Sequence, residues 1–387
     1  MPQLSDRLAE VQSYFTHGDL HLGYRRLLDA ALETGNFDVY RATLRFCDEW
    51  DAVPDADRGT AAAGRVGGLL ALIESGHRGA PQGAPGAPCL KAEGIAKRYH
   101  RGAFSLAPVN VTLHRGQVIG LVGENGNGKT TLLRLLNGDL HPDSGHIRYH
   151  FAPAGTDAYD LRSRIAFIPQ RPQSWYGSLM DNLRFASSFA GFHGVENELW
   201  TEMVIARMGL RPYRSYNWSR ISSGYKMRFE LARTLLRKPQ VLLLDEPLAN
   251  LDMLAQQIIL EDLRFLAASD TMPLSIILSS QQLYEVEKVS DEVIFLQKGT
   301  ARYRGGEAAA GGEPLVLELE TGATRAALEA LLAPAGLQQL SFNGGVHILY
   351  FAPGTHSSDV LTLLGSSGLP VRYLRDISHS SRRFFVA

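Results

Sequence analysis

The chain has 387 residues, too many for one ordinary core, so two or three domains are expected. Lysine plus arginine (39) nearly balances aspartate plus glutamate (40), which excludes a strong overall field toward nucleic acid or an anionic membrane. With 45% hydrophobic and 20% charged residues the composition is that of a globular protein, and no nucleic acid partner is expected.

The opening stretch MPQLSDRLAEV lacks the basic, apolar, small-residue order of a leader, and no apolar run approaches the roughly 18 residues that span a bilayer. Cys47 and Cys89 lie far apart without a CxxC spacing, so neither a disulfide framework nor a zinc site is supported, and a reducing cytoplasm fits. Residues 1–75 carry helical stripes, Leu4, Leu8, Val11 and Phe15 in one and Phe37, Tyr40, Leu44 and Cys47 in another. The turn-rich THGD and TGN break them into helical hairpins, an N-terminal all-helical domain. Residues 76–88, within SGHRGAPQGAPGAP, are too poor in large apolar groups to fold and form a linker.

Strands and helices alternate over residues 89–304, the pattern of an α/β domain with a largely parallel sheet. A second glycine-rich joint covers 305–313. Residues 314–387 then read strand LVLELE, a helix, LQQLSF, the hairpin signal NGG, VHILYF, a helix and VRYLRDI. That βαββαβ order predicts a ferredoxin-like accessory domain.

Chemistry concentrates in the α/β region. The strand VIGLV runs into GENGNGKTT and a helix, which fits G-x-x-x-x-G-K-[ST] at Gly123, Gly128, Lys129 and Thr130 in the strand, loop, helix context the motif needs. Its glycines let backbone N–H groups turn inward around phosphates, Lys129 adds charge at the β and γ groups, and Thr130 offers a hydroxyl to Mg²⁺. The strand VLLLDEP ends in two carboxylates about 115 residues later, with Asp245 suited to hold Mg²⁺ and Glu246 to orient or deprotonate an attacking water. Between them, ISSGYKMRFELARTLLRKP is a short polar turn opening a helix with Met227, Leu231 and Leu235 on one face.

At this point the sequence resembles the ATP-binding-cassette (ABC) ATPases, whose signature LSGGQ stands where ISSGY stands here. The resemblance runs from about Leu90 to Gly299 with every expected station in order. It implies a P-loop NTPase cassette that hydrolyses ATP with Mg²⁺, phosphates being held by Gly123, Glu124, Asn125, Gly126, Asn127, Gly128, Lys129, Thr130 and Thr131. It also implies that Tyr99 stacks on adenine and that Gln170, with Thr130 and Asp245, lies at the metal. Ser222, Ser223, Gly224 and Tyr225 take the signature positions that complete a second subunit's site, Asn250 and Asp252 belong to the D-loop, and Gln281 falls on the switch position where the family carries histidine.

Three departures stand out. Ser223 replaces a glycine, which leaves the backbone N–H intact provided the position does not need a positive φ. Tyr225 replaces glutamine, and Gln281 replaces histidine. An amide can donate a hydrogen bond to phosphate but cannot become charged, so slower hydrolysis is expected there. Trp175 and Tyr176 lie in the segment that receives the membrane partner in the family, while Arg382 and Arg383 read as a solvated basic pair.

The resemblance thus implies the ATPase subunit of a bacterial-type exporter, a homodimer or heterodimer of cassettes that closes on ATP. It would sit in the cytoplasm, at the inner face of the plasma membrane, through a separate integral permease subunit. The N-terminal helices are expected to dock an unidentified protein. Two other classes fit less of the chain, a soluble ABC ATPase that remodels a non-membrane partner and a weakly hydrolysing, nucleotide-gated regulatory subunit.

Overall fold

The computed structural model describes residues 4–77, 86–99, 104–151, 157–269, 271–304, 314–343 and 345–378. Most of the first expected linker, all of the second, and Arg382 and Arg383 lie outside the described residues.

Five helices come first: α1 (Leu4–His17), α2 (Leu20–Glu33), α3 (Phe37–Ala52), α4 (Arg58–Ala63) and α5 (Val66–Gly76). The first two breaks fall at the two predicted turns. At the second, the Asn36 side chain caps α3 by accepting from the Asp38 N–H at 2.9 Å, satisfying one of the donors that a helix start leaves over. The stripe positions Leu8, Val11, Tyr40 and Cys47 are buried.

The α/β region contains β1 (Pro88–Arg98), β2 (Ser105–His114), β3 (Val118–Val122), α6 (Lys129–Leu136), β4 (Ser144–Tyr149), α7 (Ala158–Arg164) and β5 (Ile165–Ile168). There follow α8 (Leu179–Ser188), α9 (Gly194–Arg207), α10 (Ser223–Leu236), β6 (Val241–Leu244), α11 (Met253–Ala267), β7 (Ser275–Ser280), α12 (Leu283–Glu287), β8 (Glu292–Gln297) and β9 (Thr300–Arg304). A six-stranded sheet has the order β5-β6-β7-β3-β8-β9, parallel except for β9, and an antiparallel sheet of order β2-β1-β4 adjoins it. Every residue of β3, β6 and β7 is buried, which is why these strands read as unbroken runs in place of alternating ones. In a parallel sheet the loops after successive strands emerge along one edge. The order β5-β6-β7-β3 therefore sets Gln170, the Asp245–Glu246 pair, Gln281 and the loop after β3 side by side, as expected of a ligand site at the carboxyl ends of strands.

The last segment holds β10 (Pro314–Thr321), α13 (Arg325–Leu332), β11 (Leu337–Asn343), β12 (Val346–Pro353), α14 (Ser357–Ser366) and β13 (Val371–Asp376). Its four strands form an antiparallel sheet of order β11-β12-β10-β13. Leu315, Leu317 and Leu319 of β10 share a core with Leu328 and Leu332 of α13 and with Val360 and Leu364 of α14, so both helices pack on the same face.

One expectation needs correction. The linker separates residues 1–75 from the α/β region along the chain, but not in the core. Leu27, Leu28, Val39 and Tyr40 belong to the same buried cluster as Trp200, Val204 and Leu263. Tyr40 stacks on Trp200 at 6.0 Å and Phe37 meets Phe192 edge-on at 5.8 Å. At the junction of α2, α9 and α11, the buried Arg207 pairs with Asp29 and, at 2.6 Å, with Asp262, to which Arg25 also donates at 2.5 Å. Removing one partner from such a set leaves an uncompensated buried charge, at a cost of about 3 to 5 kcal/mol. The boundaries also shift slightly, since α5 runs to Gly76 and β1 starts at Pro88.

Candidate nucleotide site

The loop after β3 is shaped by its glycines. Gly128 has φ 103°, and a Cβ there would lie 2.6 Å from the Phe104 ring, while one on Gly123 would lie 2.4 Å from the Leu296 carbonyl. Only glycine lets the loop turn this tightly with its N–H groups facing inward. The loop's far side is pinned by Asn127, whose Oδ1 accepts from the Lys298 N–H at 2.9 Å. Lys129 opens α6, is buried, and donates to the Gly123 carbonyl at 2.6 Å and the Glu124 carbonyl at 3.2 Å. Tyr99 is 38% exposed, and its hydroxyl lies 3.4 Å from Thr131 Oγ1, so an aromatic face is available beside the start of α6.

Two carboxylates end β6. Asp245 Oδ2 accepts from Thr130 Oγ1 at 2.7 Å and its Oδ1 from Ser279 Oγ at 2.8 Å. Glu246 has φ 48°, a left-handed conformation that costs a non-glycine residue about 1 kcal/mol or more and must be held by its surroundings. Its N–H donates to Ser279 Oγ at 2.9 Å. Its carboxylate receives Lys129 Nζ at 3.2 Å on one oxygen, and on the other both Gln170 Nε2 at 2.9 Å and Gln281 Nε2 at 2.8 Å. The glutamine expected at the metal, Gln170, and the one expected at the phosphate, Gln281, are thus both gathered on the catalytic candidate itself. Such a carboxylate is fixed in position and can accept a proton from a water placed beyond Lys129.

A hard cation fits this donor set. Thr130 Oγ1 and Asp245 are already in contact, and donation through Gln170 Nε2 leaves that amide its carbonyl oxygen, the only atom of the group able to bind a metal. With Thr130, Asp245 and the Gln170 carbonyl oxygen as its protein donors, such a cation would take its remaining donors from the substrate's phosphates in the manner of Mg²⁺.

The signature segment starts α10. Ser222 is the cap, accepting from the Tyr225 N–H at 3.5 Å, and Ser223 is the first helical residue. Ser223 is not among the residues with positive φ, so serine in place of glycine carries no backbone strain. Its Oγ donates to the Asn250 carbonyl at 3.1 Å, joining the signature to the D-loop of the same chain, and Asp252 caps α11 by accepting from the Ala255 N–H at 2.8 Å. The Tyr225 ring packs on Tyr213 at 4.1 Å between centroids, with the Arg228 guanidinium 5.3 Å away. That contact explains why an aromatic residue is accommodated where glutamine was expected.

Sequence reasoning missed Ser279, whose hydroxyl donates to the Asp245 carboxylate and accepts from the Glu246 N–H, and Phe104, which closes over Gly128. The signal for Ser279 was present, since two serines in LSSQQ end an otherwise apolar strand, and a hydroxyl buried there needs a partner. Trp175 Nε1 donates to Glu230 at 2.6 Å under the Arg233 guanidinium, whereas Tyr176 is 93% exposed.

A protein-family profile described as ABC transporter matches residues 106–249. The ABC transporter ATP-binding protein NatA of Bacillus subtilis (strain 168) is 30% identical over 206 residues, covering 51% of this chain and 80% of NatA. The phosphonates import ATP-binding protein PhnC of Bdellovibrio bacteriovorus is 30% identical over 234 residues, covering 56% of this chain and 88% of PhnC. The energy-coupling factor transporter ATP-binding protein EcfA1 of Geobacillus kaustophilus is 29% identical, covering 56% of this chain and 78% of its own. Among solved structures, cbiO1 from Clostridium perfringens, described as part of the ABC transporter complex cbiONQ, aligns with a TM-score of 0.51 at 27% identity, covering 56% of this chain and 87% of cbiO1. With relatives at this identity matched over most of their own length, and with the phosphate loop and paired carboxylates meeting at one sheet edge, the chain belongs to the ABC transporter family of ATP-binding cassettes and is an ATPase.

Proposed function

We propose that the chain is the ATP-hydrolysing subunit of an ABC exporter, closing as a homodimer or heterodimer on two ATP and driving a separate integral membrane permease. The observation that carries the hydrolytic part is the set of three donors on Glu246 beside the Thr130–Asp245 pair. When ATP binds, Lys129 would transfer from Glu246 to the β and γ phosphates, and Thr130, Asp245 and Gln170 would hold Mg²⁺, which supplies charge neutralisation at the phosphates. Glu246, still oriented by Gln281, is then the acceptor for the water's proton. Ser222, Ser223, Gly224 and Tyr225 of one subunit would complete the partner's site, with Asn250 and Asp252 between the two.

Dependence on a permease is supported by two observations. Among the described residues no helix is long and apolar enough to cross a membrane. On the α8 side, Tyr176, Phe185 and Phe189 are 93%, 65% and 58% exposed, an aromatic surface suited to a membrane partner. The working position is therefore the cytoplasmic face of the plasma membrane. Residues 1–75 are read as an added helical unit able to dock a protein, and residues 314–387 as a ferredoxin-like accessory unit. The export direction rests on that C-terminal unit, because the relatives named above include an import protein. Affinity purification of the full chain from membranes tests the proposal: an integral protein should accompany it and should stimulate its ATPase. Recovery only in the soluble fraction, with a soluble partner, would favour the remodelling class.

A second reading, a slow nucleotide-gated subunit, is favoured by Gln281 alone, whose amide cannot take up charge as a histidine would. Turnover of the wild-type chain compared with Gln281→His separates the two readings.

A further inference from the structure

The strand end that carries Gln281 is held by a buried carboxylate outside the nucleotide site. Ser280, the last residue of β7, is buried, lies opposite Val122 in the register of β7 and β3, and accepts the Gly123 N–H on its backbone carbonyl at 3.4 Å. Its hydroxyl donates to Glu285 Oε2 at 2.7 Å and accepts from the Gln282 N–H at 2.9 Å. A hydroxyl has a single proton, so giving it to Glu285 turns the oxygen's lone pairs toward Gln282 and closes the turn around Gln281.

Glu285 is itself fixed in place. Its helix, α12, has five residues, too few to be stable alone, and is seated by Val286, which is fully buried in the space over Gly120 of β3. A Cβ on Gly120 would lie 1.9 Å from Val286 Cγ1, so only glycine lets the helix come this close to the strand that feeds the phosphate loop. Glu285 is buried, Ser280 is its hydrogen-bond partner, and among the described residues no cation pairs with it. A carboxylate buried without a cation is costly, and packing alone would be served better by an apolar side chain. What Glu285 adds is an acceptor aimed at Ser280. The need for one follows from residue 281 being glutamine. A neutral amide on a long, flexible side chain is not drawn to Glu246 by charge, so its contact at 2.8 Å depends on the turn from which it starts.

We propose that Glu285 is a positioning residue for hydrolysis, fixing through the Ser280 hydroxyl the turn from which Gln281 reaches Glu246. The inference rests on the contribution of Gln281 to turnover proposed above. Because the Ser280 backbone carbonyl stays with Gly123 whatever the side chain does, this clasp governs the rate of turnover and not the binding of nucleotide.

Steady-state ATPase of the full-length chain, with urea denaturation as the check on folding, tests the inference. Glu285→Leu keeps a side chain of similar size and removes the acceptor. It should lower kcat no more than Gln281→Ala does, roughly two- to twelvefold, with KM for ATP little changed. Glu285→Gln retains a carbonyl oxygen for the hydroxyl and should recover most of the loss. In the Gln281→Ala background Glu285→Leu should slow turnover no further, since the two act through one contact. Ser280→Ala breaks the same clasp from the other side and should reproduce both results, which keeps the test decisive if Glu285→Leu does not fold. Wild-type kcat in Ser280→Ala or Glu285→Leu, losses that multiply in the double variant, or a Glu285→Gln variant as slow as Glu285→Leu overturns the inference and leaves the role of Gln281 standing. Wild-type kcat in Gln281→Ala overturns the reading of Gln281, and the inference with it.

Discussion

Ser279→Ala tests how the two carboxylates are held. Ser279 is wholly buried on β7, between the strand that ends in Asp245 and Glu246 and the strand that leads into the phosphate loop. The substitution removes a donor to the Asp245 carboxylate and the acceptor of the Glu246 N–H. A hydrogen bond to a charged group contributes about 1.5 to 3 kcal/mol, and a buried N–H left without an acceptor costs about 1 to 3 kcal/mol, so the loss is about 2.5 to 6 kcal/mol. Because Glu246 sits in a left-handed conformation that its surroundings must enforce, part of the loss should appear as misplacement of its carboxylate. Urea denaturation should show a lower midpoint at unchanged slope. Steady-state ATPase should show kcat reduced about tenfold, equivalent to about 1.4 kcal/mol. KM should change little, since Lys129 and the loop backbone are untouched. Ser279→Thr retains the hydroxyl on a side chain suited to a strand and should recover most of both losses. An alanine variant with wild-type midpoint and wild-type kcat would refute the claim that this hydroxyl positions the pair.

Lys129→Ala should abolish useful ATP binding, because it removes the buried cation at the loop; near-unchanged nucleotide affinity would withdraw the site. Glu246→Gln preserves size and some hydrogen bonding but not basicity, so it should bind ATP, turn over very slowly and elute as a dimer with Mg²⁺ and ATP. A monomer at saturating ATP counts against the proposed two-site closure. Gln281→Ala removes one of three donors to Glu246 and should slow hydrolysis roughly two- to twelvefold, while Gln281→His should preserve or raise it; equal rates for all three would make Gln281 a strand-end residue only. Burial pushes the Cys47 thiol up to about 11, so the folded chain keeps that proton where the unfolded chain has lost it. Stability should therefore fall as pH rises from about 8.5, the ordinary thiol value, toward the folded value, and Cys47 should resist alkylation at pH near 8 until the chain is unfolded.

What the sequence determined by itself is local. Loop chemistry at Gly123–Thr130, the acid pair after an apolar strand, and the turns at Thr16–Asp19 and Thr34–Asn36 depend on residue types at fixed short spacings. Those spacings dictate backbone shape before any long-range contact forms. The order of stations from Tyr99 to Gln281 carried the family resemblance for the same reason. Tertiary structure alone decided which strands neighbour one another, and with it the convergence of Gln170, Ser279 and Gln281 on the carboxylates of β6. No periodicity in the chain encodes that a serine on β7 must meet an aspartate on the adjacent strand, 34 residues away.

The same holds for the N-terminal helices. Their amphipathic stripes predicted helices with one apolar face, but a stripe does not specify what covers it. The Arg25–Asp262 contact spans 237 residues, and Arg207 is buried between carboxylates from α2 and α11. A Gly/Pro/Ala joint in the sequence implied separation, yet the apolar area on α2 and α3 is buried against α9. The sequence marked where the chain could bend, whereas burial of that apolar area, with ion pairs formed only in the assembled core, determined how the segments pack.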